Sequence, residues 1–412
     1  MMLTAVWGQQ TITVSVSNPL KQQRTDQPVV IPLDDDDDIR SALVTCNGQE
    51  IPCQLDDLDQ DDDFDELCFL VDIAGKEKKQ YTVTLYKEGE PRPYPARVYA
   101  EMLMRNDKVK EKNRHNNYIE SITARGDCAY SYNLQHHHGV DFESELNGIR
   151  IYFDKRQTLD LYGKLKKRLE LKETQFYTSA DQKKEGYGDD VLWVGNTFGL
   201  GAFRGWDGKE PTMIEPVRSR TQRVIAYGPL RTIVEIVDRG WQLPSGSATA
   251  EANSKLYTLN SKLNMTIRYT QYAGHRDTDV DVKFNKDVRG YRFSTGIIDI
   301  KGSEEFSDKQ GLRGCWGTDF PSTDTVKWSR ETLGLGILIP RKHIAEEVAA
   351  SSVRDVQGQN YTYVVKTDDD DLSYKVIYTS ANEEFGFHSA QEWFNYLKEW
   401  KKAVEQPIQV KY

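Results

Sequence analysis

Three consecutive histidines, His136, His137 and His138, open the stretch of this sequence richest in groups that could do chemistry. On an extended strand neighbouring side chains face opposite ways, so all three cannot ligate one metal. His136 and His138 could do so with a third ligand from elsewhere. Otherwise one of the three could act as acid or base, its pKa suited to neutral pH. From Val140 the pattern alternates, with Val140, Phe142 and Leu146 apolar and Asp141, Glu143 and Glu145 polar. Asn147-Gly148 reads as a two-residue type I′ turn. Folding there sets Leu146 opposite Ile149, Phe142 opposite Phe153, Glu145 opposite Arg150, Glu143 opposite Tyr152 and Asp141 opposite Asp154. By the same alternation His137 projects with Glu143 and Glu145. A histidine, two carboxylates, an arginine and a tyrosine then share one face.

Further along, Arg218 and Arg220 would share a strand face and fork onto a carboxylate such as that of a uronic acid, with Arg204, Arg223 and Arg231 in the same series. Ion pairing within an acidic protein is the plainer use of the same residues. His275 stands between Gly274 and Arg276 at a strand–turn–strand, a good site geometry, although a histidine at a strand end more often serves structure. Trp193 and Trp206, beside glycine-rich turns, could stack on sugar faces or simply pack. In DDLDQDDDFDE an aspartate recurs every second residue. Asp57, Asp59, Asp61, Asp65 and Glu66 could wrap oxygens round a calcium ion, which takes about six to eight of them. Asp62 stands where such loops carry glycine, and a solvated acidic turn competes with the calcium reading. No GxSxG elbow or HExxH helix is present, and the glycines from Gly199 to Gly205 lack the helix and lysine of a phosphate cradle.

The elements that must hold these groups are strands. Short alternating segments bounded by glycine and aspartate recur from Thr11 to the end of the chain, predicting an all-β protein of stacked sheets. Residues 10–90 read as a small N-terminal β-sandwich containing the acidic loop, with Asp34 to Asp38 an acidic turn. Pro91, Pro93 and Pro95 mark the boundary, because closely spaced prolines cannot sit in a central sheet. Residues 91–412 read as a large β domain that carries the catalytic or carbohydrate-binding groups. Within it, Asp107 to Asn117 is charged and expected to be exposed, with His115 on the surface. Lys164 to Thr174 reads as a short helix or a basic edge strand, and Gln175 to Asp190 as a loop carrying Tyr187, Asp189 and Asp190. One helix is predicted, Ser389 to Val404, with Ser389 as N-cap and Trp393, Tyr396, Leu397 and Trp400 on one face.

The formal net charge of -10 over 412 residues argues against a nucleic-acid partner, and no apolar run is long enough to span a bilayer. Tyrosines and tryptophans, 22 and 8, suit sheets and sugar-stacking surfaces. The five cysteines, Cys46, Cys53, Cys68, Cys128 and Cys315, form no CxxC pair and read mainly as buried thiols, with Cys46 and Cys53 able to bridge a hairpin. Leu3 to Trp7 followed by Gly8-Gln9-Gln10 reads as the tail of a truncated signal peptide.

HHHGVDFESELNGIRIYFDKRQTLDLYGK, EGYGDDVLWVGNTFGLGAFRGW, IEPVRSRTQRVIAYGPLRTIVEI and YTQYAGHRDTDVDV together resemble the bacterial family DUF4861, over nearly the whole chain. Asp62 departs from the more glycine-containing loop of that family. The resemblance implies a secreted or periplasmic protein of Bacteroidota-type bacteria, encoded among genes for breakdown of pectin-like and other uronic-acid polysaccharides. It implies a fold similar to the galactose-mutarotase-like β-supersandwich, which serves many reactions.

The expected function is therefore a carbohydrate-active enzyme, foremost a polysaccharide lyase acting by β-elimination, with no organic cofactor and calcium as the candidate metal. Arg218 and Arg220, with Arg204, Arg276, Trp206, Glu143 and Asp190 contributing to substrate binding, would neutralise the uronate. His137 or His275, with His138 beside them, would take the proton, and Tyr152 or Tyr187 would protonate the leaving oxygen. The alternatives are a glycoside hydrolase pairing Glu143 or Glu145 with Asp189 or Asp190, and a non-catalytic glycan-binding protein.

Overall fold

Alternation of β-branched and aromatic residues with polar ones produces antiparallel sheet through most of the chain. The structure, a computed structural model, describes residues 9–33, 38–126, 131–244, 246–249, 262–349 and 359–412. Leu3 to Trp7, most of the Asp34–Asp38 turn and Cys128 lie outside those residues. The protein is all-β with a small N-terminal sandwich, a large supersandwich and a C-terminal helix.

In the small sandwich, Gln9–Ser17 pairs with Lys78–Tyr86 along its whole length, and Ser41–Cys46 and Gln49–Ile51 extend that sheet. The last strand of the chain, Gln409–Lys411, adds to its other edge. A three-stranded sheet of Arg24–Pro32, Glu66–Ile73 and Cys53–Asp56 faces it across Val14, Val16, Val29, Phe69 and Val83. Cys46, Cys53, Cys68 and Cys315 are free thiols, so no bridge joins Cys46 to Cys53.

The supersandwich has a nine-stranded antiparallel sheet running from Ser121–Arg125 at one edge to Glu304–Ser307 at the other. Two five-stranded sheets cover its inner face. One contains Val98–Glu101, Gly139–Ser144, Gly148–Tyr152, Leu159–Gly163 and Asp189–Asp190; the other is centred on Phe293–Ile298 and Asn360–Val365. A single core holding Phe142, Ile151, Leu161, Val234, Ile267, Phe293 and Tyr363 fills the space between the layers.

The hairpin that carries the charged residues differs from its predicted register. Phe142 pairs with Ile149 and Asp141 with Arg150, and the Ser144 N–H donates to the Asn147 carbonyl at 3.0 Å, so the turn passes over Glu145 and Leu146. Gly148 is a strand residue with ordinary φ, placed there because a Cβ would come within 3.3 Å of the Tyr162 side chain. The shift is an even number of residues, so each side chain keeps its predicted face.

The helix Ala390–Glu405 is capped by Ser389, whose hydroxyl accepts the Glu392 N–H at 3.3 Å. Trp393, Leu397 and Trp400 pack on Leu312, Leu338 and Ile377 at the outer face of the large sheet. Three glycines clear that face: a Cβ on Gly314, Gly334 or Gly336 would stand 2.4, 2.8 or 2.7 Å from the helix side chains. Gly336→Ala should therefore overpack the seam and cost about 1–3 kcal/mol. Urea unfolding checks this, as a lower midpoint at unchanged slope.

Candidate functional site

The strands Gly139–Ser144, Gly148–Tyr152 and Leu159–Gly163 are buried on both faces. Val140, Phe142, Ile149, Ile151 and Leu161 turn to the core, and the residues between them carry charge. Cross-strand pairing aligns Glu101, Asp141, Arg150 and Asp160 in one row across four strands. The Arg150 guanidinium closes on Asp160, donates to Asp190 at 3.2 Å and to the Tyr152 hydroxyl at 2.9 Å, and lies 4.2 Å from the Phe176 ring. Tyr152 donates in turn to Asp160 at 2.7 Å. Tyr152 and Asp190 are therefore parts of one buried ion-pair network.

Glu143 is equally committed. Its carboxylate meets Lys164 at 2.5 Å and accepts the N–H groups of Glu170 and Leu171, both at 2.8 Å, which anchors the segment leading into the short helix Leu171–Thr174. Residues 164–168 are neither the helix nor the strand expected there, and Ala180–Lys184 forms a helix inside the expected loop. Glu145 leaves the row altogether, binding Arg97 at 2.5 Å and the Gly274 N–H at 2.8 Å.

The three histidines diverge because His138 adopts φ +69°, which ends the strand alternation. His137 projects to the face of Asp141 and Glu143, as predicted. Its Nε2 lies 3.4 Å from Asp141 Oδ2 and 3.7 Å from Glu101 Oε1. All three side chains are buried, and neither ring nitrogen of His137, neither oxygen of Asp141, nor Glu101 Oε1 has a hydrogen-bond partner. Burial pushes Glu101 up to about 8 and Asp141 well above the carboxylate range, and it pushes His137 down to about 3. The Gly139 backbone pulls His137 the other way without reaching hydrogen-bond geometry.

His136 and His138 instead floor a cleft of about 360 Å³. His136 stacks on His115 at 3.8 Å and meets the edge of Tyr177 at 5.4 Å. His138 stacks on Tyr132 at 4.2 Å and places Nδ1 3.2 Å from the Tyr132 carbonyl. A carbonyl only accepts, so Nδ1 carries the proton and Nε2 the lone pair. Arg105, Lys110 and Lys112 line the mouth with Asp107 as their one carboxylate. Lys112 sits 4.7 Å from the Tyr177 ring centre, and burial raises the Tyr177 phenol above its ordinary pKa. His115, expected on the surface, is buried, and its Nδ1 accepts the Asn106 N–H at 3.1 Å.

The remaining sequence-predicted residues lie elsewhere. Arg220 is buried against Asp238 at 2.7 Å, while Arg218 is exposed just outside the strand that Arg220 belongs to, so the two do not form a fork. Arg204 is buried, bonding Thr158 and the Thr197 carbonyl, and Trp206 is buried as well. Arg276 pairs with Glu383 at 2.7 Å. His275 spends both nitrogens, on Asp277 at 3.0 Å and on the Asp26 carbonyl at 2.8 Å, tying the two sandwiches together. Burial opposes charge on that ring, and Asp277 outweighs it to raise the pKa. Tyr187 lies under the Arg168 guanidinium at 3.9 Å. In the acidic loop, Asp57 accepts the N–H groups of Gln60 and Asp62, Asp65 that of Leu58, and Glu66 pairs with Arg231 at 2.7 Å. Asp57, Asp59 and Asp61 alone come within reach of a common cation. Asp62 takes φ +75°, supplying the left-handed turn for which glycine is usual.

A second cleft, of about 210 Å³, lies below Trp193, whose side chain is 52% exposed. Asp319 and Glu331, cross-strand partners, line it. Burial, then repulsion from Asp189, raises the Glu331 carboxyl to about 7. A carboxyl that holds its proton longer folded than unfolded makes stability fall as pH rises between its two pKa values. Thermal melts of wild type should therefore lose stability relative to Glu331→Gln from about pH 4.5 upwards and level off above pH 7. A difference independent of pH across that window would contradict the raised carboxyl.

A search of the curated proteins finds no match. Among solved structures, a protein in glycosyl hydrolase family 38 from Enterococcus faecalis aligns at TM-score 0.47 and 10% identity, over 97% of this chain and 47% of its own. An alpha-mannosidase from Enterococcus faecalis V583 aligns at TM-score 0.45 and 10% identity, over 97% and 46%. The chain thus spans about half the length of those structures. The profile of the family described as "Domain of unknown function (DUF4861)" matches residues 16–410, so the chain belongs to the DUF4861 family.

Proposed function

We propose that the protein is a carbohydrate-active enzyme that cleaves uronic-acid-containing glycans by β-elimination in the cleft floored by His136 and His138. The observation that carries this reading is the set of three cations, Arg105, Lys110 and Lys112, around a histidine with a free Nε2 and a protonated tyrosine, on a protein whose net charge is -10. The cations neutralise the substrate carboxylate and so acidify the proton on the adjacent carbon. His138 Nε2 takes that proton. The electron pair of the broken carbon–hydrogen bond forms the new carbon–carbon double bond as the bond to the glycosidic oxygen breaks, and the Tyr177 hydroxyl protonates the leaving oxygen. The base is thus His138 rather than His137 or His275, and the acid Tyr177 rather than Tyr152 or Tyr187. A secreted or periplasmic setting, where such polymers are met, goes with this reading.

A second reading is favoured by one observation. Glu331, with its carboxyl raised to about 7, faces Asp319 across a pair of strands beneath the exposed Trp193, an arrangement suited to glycoside hydrolysis with Glu331 as general acid.

Incubation with a panel of uronic-acid glycans, followed by the ultraviolet absorbance of the unsaturated product, tests the first reading. Absorbance should rise on at least one glycan, and His138→Ala should lower kcat by about 10²–10⁴-fold. Lys112→Ala should raise KM, and His275→Ala should leave turnover intact. New reducing ends without absorbance, lost in Glu331→Gln, would transfer the activity to the second cleft. Glycan binding without either signal would make the protein a binding module.

A further inference from the structure

We propose that Glu101, His137 and Asp141 form a binding site for one divalent ion of the zinc class, one layer beneath the floor of the cleft. Nothing in this assignment depends on the elimination chemistry above it.

The spacing is that of metal ligands. Two donors each about 2.1 Å from one ion stand about 3.4 Å apart at a tetrahedral angle and slightly farther when the angle opens. His137 Nε2 lies 3.4 Å from Asp141 Oδ2 and 3.7 Å from Glu101 Oε1, and the three donor atoms all fall within 4.8 Å of one another. These contacts do not make hydrogen bonds: the donor atoms, with the second oxygen of Asp141 and Nδ1 of His137, are buried and unpartnered. Three ionisable groups left so in an interior are costly unless something binds them together.

Each ligand is also held in place by its own element. Tyr99 donates to Glu101 Oε2 at 2.7 Å, which leaves Oε1 turned to the site. Asp141 sits on a strand paired on both sides. His137 is fixed between the His136 N–H bond to Leu103 at 2.8 Å and the left-handed backbone of His138. Arg150 is the protein cation best placed to serve Asp141, being its cross-strand neighbour, but its donated bonds go to Tyr152, Asp160 and Asp190. One imidazole with two carboxylates suits zinc better than calcium or magnesium, which favour oxygen donors alone. Three protein ligands leave a fourth position for water. The site is separate from the exposed Asp57–Asp59–Asp61 group.

The full chain, stripped with a chelator and re-equilibrated with zinc before gel filtration, should retain about one ion per chain by elemental analysis. Cobalt substituted for zinc should give the intense visible bands of a tetrahedral centre. His137→Gln, Asp141→Asn and the isosteric Glu101→Gln should each lose the ion, while Asp57→Asn with Asp61→Asn should keep it. Circular dichroism identifies any variant that fails to fold, and the wild-type cobalt spectrum carries the test in that case. Wild-type protein that retains no zinc, or retention unchanged in a folded Asp141→Asn or Glu101→Gln variant, would overturn the assignment. The measurements need no substrate, so they stand or fall apart from the lyase reading.

Discussion

A charge taken out of water must be met by an opposite charge, a hydrogen bond or an ion, and the sheet around Gly139–Ser144 is organised by that requirement. Its strands are buried on both sides, so the period-two alternation that sends Phe142 and Ile151 into the core sends Asp141, Glu143, Arg150 and Asp160 into a second interior. That second interior is covered by residues 102–118 and 132–138 and by Lys164 to Gly188. Glu143 holds the roof down through Lys164 and two backbone N–H groups, and Arg150 gathers Asp160, Asp190 and Tyr152 under Phe176. The cleft exists because the roof is pinned at these points and leaves His136 and His138 at its margin.

The same constraint governs the seam between the sandwiches. Arg231, almost wholly buried, bridges Asp56 and Glu66 of the small sandwich, and Arg97 reaches both Asp26 and Glu145. Removing one member of a buried pair costs about 3–5 kcal/mol because the other is stranded. Several arginines that looked suited to gripping a substrate carboxylate are consumed here or in the core. Arg220 answers Asp238, Arg276 answers Glu383, and Glu66 is drawn from the acidic loop to Arg231. Lys110 and Lys112, with Arg105 in its pair with Asp107, stand instead at the mouth of the cleft.

Much of the fold was legible from the chain because it rests on local periodicity. Alternation identified the strands and their core faces, and the spacing of Trp393, Leu397 and Trp400 with Ser389 before them identified the helix. The hairpin register was not legible. Asn147-Gly148 has the composition of a turn, but Gly148 lies in the strand, where a Cβ would stand a tight 3.3 Å from Tyr162, a contact across strands that spacing does not record. The site failed in the same way. Glu101 and Asp141 are partners through strand pairing across forty residues, and Lys110, Lys112 and His115 reach the histidines through a roof with no periodicity. The charged residues from Asp107 to Asn117 are exposed, as their composition predicts; Asn113 and His115 alone in that stretch are buried, through contacts to Gln182 and Gln175 that spacing does not record. The faces of Asp141 and Glu143 were legible, since parity survives an even register shift, and His137 joins them although the strand begins only at Gly139.

The row of charges also sets His137 apart from His138, the proposed base. Glu101, Asp141, Asp160 and Asp190 are four carboxyls, and among the described residues Arg150 is the cation whose hydrogen bonds reach any of them. It commits those bonds to Asp160 and Asp190, with Tyr152 sharing the load, so two carboxyls remain and His137 is inserted between them. Burial holds both carboxyls and the imidazole toward their neutral forms, and at 3.4 and 3.7 Å His137 makes no hydrogen bond to either. The divalent ion proposed here would displace the carboxyl protons and be met by two negative charges and the imidazole lone pair. His137 is buried and closed to substrate, whereas the proposed base is its neighbour His138, whose backbone is left-handed and whose side chain lines the cleft.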